Sequence, residues 1–66
     1  MTLRINGASR EVGPLRTIAD LVHELQLVAG TVLIEHNGTA LRRDEWPARA
    51  LQENDSIEVL QIVAGG

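Results

Sequence analysis

An α+β domain, a sheet of four to five strands with one helix packed on one face, is the fold this sequence predicts, and three observations predict it. Two Asn-Gly pairs, Asn6-Gly7 and Asn37-Gly38, stand between short apolar runs, the signature of tight hairpins whose turn residues both need positive φ. A single apolar stripe with helical spacing lies between those two pairs. The chain then closes on the apolar run Ile57-Glu58-Val59-Leu60-Gln61-Ile62-Val63.

Taken in order, Thr2-Leu3-Arg4-Ile5 alternates with period two, turns at Asn6-Gly7 and returns through Ala8-Ser9-Arg10-Glu11-Val12. Gly13-Pro14 breaks the pattern, and Thr17 followed by Asp20 resembles a capping box with Asp in the Glu/Gln place. Behind it Ile18, Leu21, Val22 and Leu25 fall at i, i+3, i+4 and i+7, which predicts a helix over Ile18 to Leu25 with Asp20, His23, Glu24 and Gln26 on its polar face. Ala29-Gly30 closes that segment. Val32-Leu33-Ile34-Glu35 reads as a third strand, turned at His36-Asn37-Gly38 into a brief fourth strand, Thr39-Ala40-Leu41. Arg42 to Ala50 is expected to be irregular, with a turn or one 3₁₀ turn at Trp46-Pro47, because proline disfavours the helical region for the residue before it. Glu53-Asn54-Asp55 is a turn, and Ser56 to Val63 is the last strand.

One helix covers only one face of a sheet. In the last strand Ile57 and Val59 share one face, and Leu60 and Ile62 share the other. The second pair is left without a helix to cover it. It reads either as ordinary exposed aliphatics or as a docking patch beside the C-terminal tail.

Composition removes several functions. With 66 residues the core is small, and with no cysteine there is no disulfide, no thiolate metal site and no thiol nucleophile. The net charge is −3, all six basic residues are scattered arginines, and Trp46 is the only aromatic residue, so neither phosphate-backbone binding nor base stacking is supported and no nucleic-acid partner is expected. No apolar stretch approaches a membrane span and no basic-then-apolar leader opens the chain, which gives an expectation of a cytoplasmic protein without a membrane partner.

Catalytic groups are equally sparse. His23 and His36 have no ligand set around them, Ser9 and Ser56 sit at strand positions without a glycine elbow, and no phosphate-cradling glycine motif occurs. The expectation is no catalytic residue, no bound metal and no enzyme activity. Trp46, between Arg43 and Arg49, reads as a lid on the open end of the core, with an interface anchor as the alternative.

What remains is the end of the chain, Val63-Ala64-Gly65-Gly66. Two glycines without Cβ atoms can thread a narrow channel and present a carboxylate. Together with Asn6, Thr17 before the helix, Arg43 three residues before Trp46, and Asp55 followed by Gln61 to Gly66, this ending resembles the ThiS family of sulfur carriers of thiamin thiazole biosynthesis over the whole chain. The stretch Arg42-Arg43-Asp44-Glu45 departs from it, since such carriers often show proline before the arginine.

The resemblance implies a β-grasp (ubiquitin-like) fold with a mixed sheet over residues 1–63 and a flexible diglycine tail over 64–66. It further implies that Gly66 is adenylated at the expense of ATP by a partner enzyme (ThiF/MoeB-like) and converted to a thiocarboxylate by a sulfur-donating persulfide enzyme. Gly66 then gives its sulfur to a thiazole synthase (ThiG-like). Ala64 and Gly65 would thread the partner's active site, and Leu60 and Ile62 would lie in the partner-binding surface. ATP is then the partner's substrate, and no cofactor is bound by the chain itself. Three alternatives share parts of this reading. A MoaD-type carrier would feed molybdopterin synthesis, a ubiquitin-like modifier would form isopeptide adducts, and an interaction-only domain would be indifferent to loss of the two glycines. The absence of lysine denies a sister molecule any side-chain amine to attack.

Overall fold

The structure, a computed structural model, describes residues 1–62. The elements are β1 (Thr2–Ile5), β2 (Ala8–Glu11), α1 (Ile18–Glu24), a 3₁₀ turn Ala29–Thr31, β3 (Val32–His36), β4 (Thr39–Leu41), a 3₁₀ helix Arg43–Ala48 and β5 (Ser56–Gln61). The strands form one sheet in the order β2-β1-β5-β3-β4. β1 and β5 run parallel at its centre, and every other neighbouring pair is antiparallel. The expected mixed sheet is therefore present with all five strands, and α1 closes one face.

Local chemistry accounts for each element. Both hairpins turn on left-handed Asn-Gly pairs, with φ of 51° and 83° at Asn6-Gly7 and 50° and 86° at Asn37-Gly38. The Thr17 hydroxyl accepts from Asp20 N–H and the Asp20 carboxylate accepts from Thr17 N–H, completing the capping box. A seven-residue helix is too short to stand alone, so its stability comes from the stripe it buries. Ile18 and Leu21 are fully buried, and they share one core cluster with Leu3, Ile34 and Ile57 from the central strands.

Five boundaries differ from the sequence expectation, two of them by simple shortening: β2 stops at Glu11 rather than Val12, and β5 stops at Gln61, with Ile62 outside it. Gln26, in the left-handed region at φ 56°, ends the helix one residue early, with Leu25 as its cap. His36 is the last residue of β3, not part of the turn, because the β3–β5 ladder runs on to a His36–Ile57 pair. The stretch around Trp46 is a six-residue 3₁₀ helix, and Trp46 stays in it although Pro47 follows. Two bonds start it, from Arg42 N–H to Glu45 Oε1 at 2.7 Å and from Glu45 N–H to Arg42 C=O at 3.0 Å. Burial of Trp46, only 5% exposed, makes it part of the one core cluster to which Leu41 and Leu51 also belong. The lid reading of Trp46 is thus met. The 3₁₀ turn at Ala29–Thr31 has no counterpart in the sequence reading.

Candidate functional site

β5 brings the candidate residues to the end of the chain, and its start is fastened from three sides. His36 is buried, its Nδ1 accepts from Arg49 Nε at 2.9 Å, and its Nε2 lies 2.7 Å from Asp55 Oδ2. A ring nitrogen that accepts from a guanidinium carries no proton, so the proton sits on Nε2 and is donated to Asp55. Asp55 also accepts from Asn37 Nδ2 and from Gln52 N–H. Burial works against its charge, yet the bonds from His36, Asn37 and Gln52 outweigh it and hold the carboxyl below its ordinary value. Asn37 then binds Ser56 through both side chain and backbone, with Ser56 N–H donating to Asn37 Oδ1 and Asn37 N–H donating to Ser56 C=O, each at 2.8 Å. His36 is therefore a structural residue, as the sequence suggested, and His23 is exposed on the helix.

Further along, Asn6 grips β5 where β1 leaves it. Its Oδ1 accepts from Val59 N–H at 2.7 Å and its Nδ2 donates to Val59 C=O at 3.2 Å. On the opposite edge Ile62 N–H donates to Thr31 C=O at 2.7 Å. The two anchors tie down the backbone at Val59 and at Ile62, the last described residue.

The parity argument holds at side-chain level. Ile57 is fully buried and Val59 partly so, whereas Leu60 and Ile62 are 47% and 44% exposed. The register adds a neighbour that sequence reasoning missed. Leu33 stands directly opposite Leu60 on the same outer face, 53% exposed. The alternation of β3, with Val32 and Ile34 buried and Leu33 between them, is the signal that could have found it. The next outer pair is Glu35 opposite Glu58, two carboxylates facing each other across the ladder. The outer face thus offers an apolar strip bordered by negative charge.

Val63, Ala64, Gly65 and Gly66 lie outside the described residues. Among the described residues no three His, Asp or Glu side chains gather to hold a metal ion, and no helix is long and apolar enough to cross a membrane.

Comparisons with known proteins agree on one family. The ThiS family model matches residues 3–66. A crystal structure of the thiamine biosynthesis protein (ThiS) from Geobacter metallireducens is similar at 29% identity and a TM-score of 0.83, with both chains covered in full. A solution NMR structure of a thiamine biosynthesis protein from the same organism gives 29% identity and a TM-score of 0.81, covering all of this chain and 88% of that one. No curated protein sequence gives a match.

Proposed function

The chain belongs to the ThiS family, and from that membership we propose that it is a sulfur carrier of thiamine biosynthesis whose Gly66 carboxylate is the group that cycles. The observation that carries the reading is the family match running through to residue 66, so that it includes the diglycine pair. The β-grasp fold, shared with the Geobacter metallireducens proteins, supports it. The sparse set of reactive side chains fits a protein that is itself the cosubstrate.

A carboxylate is a poor acyl donor, and a partner adenylating enzyme would correct this. The Gly66 carboxylate oxygen attacks the α-phosphorus of ATP, pyrophosphate leaves, and an acyl adenylate remains. A persulfide sulfur on a donor protein then attacks the acyl carbon and AMP departs. A second thiol cleaves the resulting acyl disulfide, leaving a thiocarboxylate on Gly66 and a disulfide on the donor. The thiocarboxylate passes its sulfur to a thiazole synthase and returns as carboxylate. The chain has no cysteine, so every sulfur in this cycle comes from its partners.

Geometry gives the rest of the proposal. Ala64 to Gly66 would span roughly 10 Å when extended, which sets the least depth of the slot that receives them. Leu33, Leu60 and Ile62 would dock on the partner, and the facing Glu35 and Glu58 would favour a partner with basic groups around its apolar contact. The cycle would run in the cytoplasm, where ATP and persulfide donors are available. ATP–pyrophosphate exchange by the adenylating enzyme tests the first step. Exchange should require the carrier and should vanish when Gly66 is removed. Exchange that persists with the shortened chain would refute Gly66 as the adenylated residue.

A further inference from the structure

We propose that the free edge of β5 at Gln61 is a strand-addition site, where the adenylating enzyme lays an extended segment of its own backbone beside the root of the tail and places an acidic side chain on Arg10. The identity of the partner rests on the carrier reading; the site itself rests on the hydrogen-bond register.

Within a strand the N–H and C=O of one residue point the same way, and successive residues alternate between the two neighbours. Ile62 N–H donates to Thr31 C=O at 2.7 Å and Asn37 N–H donates to Ser56 C=O at 2.8 Å, so the even-numbered residues of β5 serve β3. The odd-numbered residues face β1. Of these, Ile57 C=O accepts from Asn6 N–H at 2.9 Å, and Val59 is satisfied through both backbone groups by the Asn6 carboxamide. β1 then departs into its left-handed turn. Gln61 comes next in the row, and its N–H and C=O meet no partner among the described residues.

A groove of about 260 Å³ opens beside this edge. Ile5, Leu25, Leu27 and Val59 line its apolar part, and Arg10 contributes its one charged side chain. Leu25 and Leu27 both line it because Gln26, in the left-handed region, turns the chain between them. Arg10 is exposed and forms no ion pair among the described residues. A paired backbone donor and acceptor are met most fully by another backbone, the groove accepts an apolar side chain from it, and Arg10 selects a carboxylate. The Asn6 side chain already shows that an amide is accommodated on this edge one step earlier.

The decisive variant is Gln61→Pro. Proline removes only the N–H that faces the open edge, while Leu60 and Ile62 keep the N–H groups that serve β3, so the fold should survive. Titration of the wild type and of folded Gln61→Pro and Arg10→Glu against the adenylating enzyme should show at least tenfold weaker binding for each variant, about 1.4 kcal/mol. In the wild-type complex the Gln61 amide should exchange with solvent markedly more slowly than in the free protein. If Gln61→Pro fails to fold, Arg10→Glu and the wild-type exchange decide the matter. Wild-type affinity in the variants, with unchanged exchange at Gln61, overturns the proposal. So does a Gln61 amide already protected in the free chain and released when residues 63–66 are removed, because the chain's own end would then occupy the edge. Sulfur loading of the wild type in the same preparation separates the two claims. If loading proceeds while the variants bind normally, only the edge proposal falls; if the wild type neither binds nor loads, the carrier reading falls and the assigned partner with it.

Discussion

Asp55 is the residue on which the start of β5 depends. It gathers donors from His36, Asn37 and Gln52, and through His36 it is linked to Arg49. Replacing it by alanine leaves the buried His36 N–H without an acceptor, and the expected loss of stability is about 1–3 kcal/mol, measured by denaturant titration. Its charge also sets a pH dependence. The folded carboxyl titrates below its ordinary value, so its contribution is complete above the unfolded value, near 3.9, and is lost as the pH falls through the lower folded value. Wild-type stability should therefore fall on acidification below about pH 4, and Asp55→Asn should flatten that fall. An unchanged acid limb in the variant would remove Asp55 from the account. Four residues beyond β5 in the sequence, Gly65→Val should leave the thermal midpoint unchanged and cut adenylation at least tenfold, because a branched side chain would block a slot shaped for glycine. Undiminished ATP–pyrophosphate exchange with this variant would show that the slot is not narrow.

At the scale of the element, β5 has one buried face and one exposed face, and the exposed one is the proposed docking face. Ile57 is fully buried and Leu60 is nearly half exposed, so glutamate should unfold the chain at the first position and leave it folded at the second. Leu60→Glu should instead weaken binding to the adenylating enzyme or the thiazole synthase at least tenfold, read by titration with circular dichroism as the folding control. The reverse pattern would mean that the two faces are exchanged. This division was legible in the sequence, since alternation alone separates Ile57 from Leu60. Leu33 was not, because pairing it with Leu60 needs a register that depends on strands distant in sequence. The Asn6 clamp on Val59 was hidden for the same reason. The Asn-Gly turns and the Thr17–Asp20 cap are legible in the sequence because each is decided within four residues. The 3₁₀ helix at Trp46 outran its local signal, since burial of the indole is a tertiary effect that overrode the preference set by Pro47.

For the molecule as a whole, the proposed carrier role divides the labour between a sheet that positions the tail and a terminal carboxylate that reacts. The sheet centre is built from β1 and β5 in parallel, so the strand that leads to the tail is among the best supported in the fold. The central claim is that sulfur is carried on Gly66. Its most direct test is the intact mass of the chain after incubation with the adenylating enzyme, ATP and a persulfide donor, with a chain lacking Gly66 treated in parallel. The wild type should gain the mass difference between one sulfur and one oxygen atom, and the shortened chain should gain nothing. A wild-type mass that does not change, or an equal gain in the shortened chain, would contradict the account.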